Sequence, residues 1–300
     1  METITENKKF GLNRGNLKMI ALFCMTIDHI GYVLVESWIL KLNEESILYF
    51  GASLLDLVLR LIGRIAFPIF CFFIAEGFIY TRNVYKYAGR LLLLAILSEV
   101  PFDLAVTKKV FDLGYQNVFF TLLTGLLLIY ILDRLFKLVD KKALKYVLAA
   151  VISVAAFIFV EFIHTDYGGV GVLSIALIYL VGREELKFAA VLNVIGLLVN
   201  FVYEGKYNLF NIIFTICIIA MFTFLILLSK KMPNINSRRM FASCSALSEM
   251  TLFEASAFVN VGLMILYNGK KGKNIGWLFY FFYPVHLAIL FGIGKLLKLY

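Results

Sequence analysis

Apolar stretches of membrane-crossing length follow one another from residue 17 to residue 297, and nothing else in the chain limits the fold so strongly. A helix needs about 20 apolar residues to cross some 30 Å of hydrocarbon, and only helices or closed barrels satisfy every backbone group there. The candidate runs are 17–40, 55–80, 87–106, 117–138, 144–163, 168–182, 186–203, 208–229, 248–267 and 275–297. They are continuous rather than alternating, which selects helices over barrel strands. The sixth and seventh are short and the ninth is weak, so nine crossings are tenable beside ten. Composition agrees: 61% of the residues are hydrophobic and the mean hydropathy is +0.87, against an apolar share of about 45–50% in soluble domains. The expected fold is all-α, a polytopic transmembrane helix bundle of about 10 spans. A cytoplasmic tail, 1–16, precedes a single membrane domain, 17–300, with no internal repeat and no soluble second domain. The first run lacks a cleavage pattern and reads as a retained helix.

Lys and Arg placement orients the bundle. Basic clusters fall before the first run (Lys8, Lys9, Arg14, Lys18), at 82–90, at 134–145 and at 230–239. With ten spans these share one side, which predicts a multi-pass protein of the bacterial inner membrane with both termini cytoplasmic. Lys108 and Lys109 dissent, and more seriously so do Lys270, Lys271 and Lys273 in "LYNGKKGKN": either a span is miscounted near the C-terminus or those last lysines hold a ligand. The net charge of +9 mostly reports topology, and no basic surface interleaved with aromatics suggests nucleic acid. The four cysteines show neither metal spacing nor a disulfide framework and are assigned to packing.

Inside these runs, ionisable groups are costly and therefore informative. In "LKMIALFCMTIDHIGYVLV" the adjacent Asp28 and His29 interrupt the first run. Helical neighbours point roughly 100° apart, so Asp28 cannot orient the His29 ring, and the orienting partner must come from another helix. Lys18 lies eleven residues before His29, which puts it on nearly the same helix stripe about 16 Å away. A cation at the mouth and a base at depth suit an elongated anionic cosubstrate; snorkelling by Lys18 is the alternative. The second run carries Arg64 and Glu76, with Arg60 and Arg64 on one face. Glu99 and Asp103 flank Pro101 and could either partner His29 or pair with Arg64. Asn117, Thr121 and Thr124 form a stripe suited to interhelical hydrogen bonds. "HTDYGGVG" reads as a turn carrying His164 and Asp166, and His286 follows Pro284 as a site residue or as a structural histidine bonded to freed carbonyls.

The series "IALFCMTIDHIGYVL", "GRIAFPIFCFFIAEGF", "RLLLLAILSEVPFDL", "NVFFTLLTGLLL", "LYNGKKG" and "FYPVHL", in that order, resembles the TraX family, whose named activity is N-acetylation of a conjugative pilin. The Lys18 to His29 spacing is similar to that of the wider membrane acyltransferase-3 superfamily. The resemblance implies acetyl-CoA as cosubstrate without a metal, His29 as catalytic base, and Lys18 as a phosphate contact. Asp28, Arg64, Glu76, Glu99 and His286 join the expected catalytic set, and Arg90, Lys270 and Lys271 the expected cosubstrate contacts. The expected function is an O- or N-acetyltransferase acting on a peptide, glycan or lipid acceptor in the envelope. In that chemistry His29 takes a proton, Arg64 or a backbone N–H near Pro284 stabilises the oxyanion, and an acyl-histidine route also fits. The alternative is a proton-coupled transporter relaying through His29, Glu76, Glu99 and His286.

Overall fold

The computed structural model describes residues 11–205, 220–221, 223–224, 226–247, 256–273 and 276–300. Among these every regular element is helical. Helix α1, Arg14–Ile30, starts where the Asn13 side chain accepts from the Asn16 N–H. It runs through a π-type turn, Gly31–Val35, into α2, Glu36–Ile39. Helices α3, Ile47–Gly63, and α4, Ala66–Tyr80, form one long segment broken at Arg64 and Ile65. Then come α5, Val84–Val106, α6, Val118–Leu138, and α7, Lys142–Phe162. Side chains of Ser46, Asn83 and Asn117 cap α3, α5 and α6, supplying acceptors that the first turns of these helices lack. Helices α8, Gly168–Gly182, and α9, Leu186–Glu204, follow. The last three are α10, Ile235–Leu247, α11, Val259–Leu266, and α12, Gly276–Leu296.

Helix α8 is the centre of the bundle. It is apolar all round and buried at every residue from 169 to 181, packed against α4, α6, α7, α9 and α10. Among the described residues four segments are long and apolar enough to cross a membrane: Arg14–Ile39, Ile47–Tyr80, Val118–Leu138 and Lys142–Phe162. Helix α5 has the length but carries Lys86, Arg90, Glu99 and Asp103. Of the expected ten spans, 208–229 lies largely outside the described residues, as do residues 248–255 of the ninth.

The stretch expected as a cytoplasmic loop before the ninth span is instead α10, and its buried side includes Ser237, Arg239, Ala242, Ser243 and Cys244. Small residues let it approach α8 closely, Ser174 and Ser243 bonding hydroxyl to hydroxyl. Helix α11 runs back along it: Asn234 Nδ2 donates to the Met264 carbonyl at 3.4 Å, and the Phe241 and Phe258 rings meet at 5.3 Å. Over their described residues, 13 and 8 in number, the two helices cover only about 20 and 12 Å and run antiparallel, a hairpin that opens towards one end of the bundle.

This hairpin settles the dissenting lysines at 270–273. Leu12 N–H donates to the Leu266 carbonyl, Asn268 N–H to that of Leu12, and Arg14 N–H to that of Lys270. Lys270, Lys271 and Lys273 therefore sit beside the start of α1, at the same end as Arg14, Arg82, Lys86 and Lys137. Helix α12 then carries the chain to the far end, where Lys108 Nζ lies 3.8 Å from the Tyr300 ring centroid and Lys41 reaches the Lys298 carbonyl. The expectation placed both termini on one side, whereas Arg14 and Tyr300 lie at opposite ends of the bundle.

Candidate functional site

The break between α3 and α4 builds the site. Two carbonyls at the break, those of Leu61 and Ile65, accept from Ser256 and Asn260 of the hairpin, each at 2.8 Å. Irregular backbone at membrane depth persists where protein side chains satisfy it in this way. The break turns Arg60 and Arg64 towards α1 and into a cavity of ≈ 240 Å³, lined also by Asp28, His29, Tyr32, Tyr115, Asp166 and Tyr167. The π-type turn directly after His29 brings Tyr32 to the same wall; such one-turn bulges are frequent at functional sites.

The partner expected for His29 from another helix is His286. His29 Nδ1 lies 2.7 Å from His286 Nε2, and His286 Nδ1 lies 2.8 Å from the Phe282 carbonyl oxygen. A carbonyl can only accept, so His286 Nδ1 carries a proton and donates it. In its neutral form His286 then offers Nε2 as an acceptor, and His29 must donate from Nδ1. That leaves His29 Nε2, at the other edge of the ring, as the basic nitrogen of the neutral pair. His286 thus bonds the Phe282 carbonyl of its own helix and His29 of α1 at once.

Asp28 pairs with Arg60: Oδ2 to Nη1 is 2.7 Å, and the guanidinium carbon stands 4.9 Å from the centroid of the Tyr32 ring. Gly63 is required here, because a Cβ at that position would collide with the Asp28 carboxylate. Arg64 Nη1 donates to the Tyr167 hydroxyl at 3.3 Å, and the Tyr167 ring stacks on Phe67 at 3.6 Å. The turn at 163–167 folds inward: Asp166 N–H donates to the Gln116 carbonyl, Thr121 bonds the Asp166 carbonyl, and the Tyr115 hydroxyl donates to Asp166 Oδ1 at 3.0 Å. Burial raises the Asp166 carboxyl to about 6 although the Tyr115 hydrogen bond opposes this.

Other expected site residues fall elsewhere. Glu99 is held by Asn117 Nδ2, and Asp103 Oδ2 accepts from the Asp112 N–H at 2.8 Å, so neither partners His29 or Arg64. Pro101 lies between them inside α5, and both carboxylates turn towards the α6 side. Glu76 binds Arg14 at 2.9 Å and accepts from the Tyr267 hydroxyl at 2.9 Å. Glu76, Arg14 and Lys18 line a second cavity of ≈ 260 Å³ nearer the basic end. Lys18 and His29 share a helix stripe but not a cavity, because Met25 stands in the wall between. Arg90 is exposed and packs on the Tyr87 ring, and Lys270 and Lys271 are exposed in the loop that clasps the start of α1. Cys24, Cys71 and Cys244 are buried and none is in a disulfide with a described residue, and Cys217 lies outside the described residues. Among the described residues no cluster of three or more His, Cys, Asp or Glu could hold a metal ion.

These features define a class: a helical membrane protein with a polar chamber whose wall carries His29, hydrogen-bonded from behind to His286. The chain belongs to the TraX family, whose profile, described as TraX protein, matches residues 13–294. It is 28% identical over 285 residues, 91% of this chain and 92% of the relative, to the "Probable fimbrial assembly protein FimC, serogroup H1" of Dichelobacter nodosus. No solved structure matches it. The expectation of an acetyltransferase, with proton-coupled transport as its alternative, is corrected by these findings. They put the chain in a family beside a fimbrial assembly protein, and neither match names acetyl transfer or transport.

Proposed function

We propose that this chain serves the assembly of a bacterial surface fibre, as a membrane-embedded enzyme whose His29 accepts a proton from a client brought to the chamber. The observation that carries the chemical part is the His29 to His286 contact at 2.7 Å, which leaves Nε2 of His29 as the base. Similarity to a fimbrial assembly protein over most of the chain supports the biological part. Arg60, Arg64, Asp28 and Asp166 surround that base with both signs of charge and would hold a polar client group against it. Deletion of the chain from its host tests the reading. Surface fibres counted by electron microscopy should be lost and should return with the natural chain; an undiminished fibre count in the deletion strain would refute a role in assembly.

The arrangement we propose in the membrane is about nine crossings plus the hairpin of α10 and α11, in the bacterial cytoplasmic membrane. The end bearing Arg14, Arg82, Lys86, Lys137 and Lys270 faces the cytoplasm, following the positive-inside rule. Cysteine placed at position 300 should then react with a membrane-impermeant maleimide added to whole cells, and cysteine at position 84 should not. Reaction at 84, or protection at 300 until the cells are broken, contradicts this arrangement.

A further inference from the structure

The cavities around Lys18 and around His29 approach each other from opposite ends of the bundle, and four residues line both: Met25, Phe70, Val118 and Tyr283. Along α1 the division is plain, with Lys18 and Leu22 in the first cavity, Met25 in both, and Asp28 and His29 in the second. One layer of side chains therefore separates them. We propose that this layer is a gate with Tyr283 as its moving part, so that the His29 chamber can be reached from the basic end as well as from its own.

Three observations favour Tyr283 over its neighbours. Its ring stands edge-on to His29, at 5.9 Å, and to Phe119, at 5.0 Å, so it closes the gap between α1 and α6. Its hydroxyl is buried and makes no well-formed hydrogen bond, with only a loose approach to the Val118 backbone, an arrangement that costs stability unless another conformation or an entering group satisfies it better. Pro284 follows directly and removes the backbone bond to the Tyr280 carbonyl, loosening α12 where the side chain would have to swing. Met25, opposite, is unbranched and adapts to a changed neighbour. Apart from the Tyr283 hydroxyl the barrier is apolar, so while the ring is in place it holds back ions and small polar solutes alike, and a small uncharged group passes only when the ring is swung aside or removed. The gate stands whatever chemistry the chamber performs.

The purified chain, reconstituted in sealed liposomes, tests this by urea uptake followed by stopped-flow light scattering. The natural chain and Tyr283→Phe, which keeps the ring, should be as tight as protein-free liposomes. Tyr283→Ala should admit urea several-fold faster, and so should Met25→Ala, which thins the same layer without touching α12. Ile175→Ala, an excavation of the buried centre of α8 away from the layer, should stay tight. Tight liposomes with both Tyr283→Ala and Met25→Ala would overturn the gate, as would an equal leak through Ile175→Ala.

Discussion

A host carrying His29→Ala is expected to insert the protein normally and to lose its surface fibres. Insertion should survive because an imidazole replaced by a methyl group leaves the apolar run of α1 intact, and His286 keeps its bond to the Phe282 carbonyl. Fibres should not survive, because removal of a general base typically lowers a rate by about 10² to 10⁴. His286→Ala should act more mildly, since it removes the orienting acceptor and not the base. His286→Gln should restore part of the loss: its amide oxygen can accept from His29 Nδ1 and its amide nitrogen can donate to Phe282. Fibre counts, beside immunoblots of the membrane fraction, measure all three. Normal fibres with His29→Ala would remove His29 from the working site.

The second large effect concerns folding. Arg60→Ala should destabilise the protein by about 3–5 kcal/mol, the usual consequence of leaving one member of a buried ion pair without the other. Asp28 is 14% exposed and pressed against Gly63, so water has little access to an orphaned carboxylate. Removing both charges in Arg60→Ala/Asp28→Ala should return most of that stability, because the charge left behind causes the larger share of the damage. Thermal unfolding in detergent reads the difference. Equal losses in the single and double variants would show that Arg60 contributes by packing on Tyr32 and not through its charge.

Hydropathy served best where a helix meets lipid on one side. The boundaries of α6, α7 and α8 fall within two residues of the expected spans because their apolar runs end abruptly at polar caps and turns. The same measure failed for α10, whose sequence INSRRMFASCSAL reads as a polar loop. It is a helix because its Ser, Ala and Cys residues face protein, where hydroxyls find partners such as Ser174 and small side chains allow close approach. The absence of an in-helix partner for His29 was legible from helix geometry alone. That the partner would be His286 and not Glu99 was not, since it depends on which face of α12 meets α1, a tertiary fact. Asp166 was undervalued for a similar reason: turns are usually solvated, and only the Tyr115, Gln116 and Thr121 contacts draw this one into the chamber. Tyr32, Tyr115, Tyr167 and Tyr283, all lining the chamber, carried no sequence signal that set them apart among 16 tyrosines.

The central claim is that His286 holds His29 with its proton on Nδ1 and its lone pair on Nε2. With only three histidines in the chain, nitrogen-15 spectra of histidine-labelled protein in lipid can resolve each ring, His164→Gln and His286→Gln giving the assignments. The account predicts that neutral His29 shows a protonated Nδ1 coupled across a hydrogen bond to His286 Nε2, and an unprotonated Nε2. A neutral His29 protonated at Nε2, or no coupling between the two rings, would contradict it.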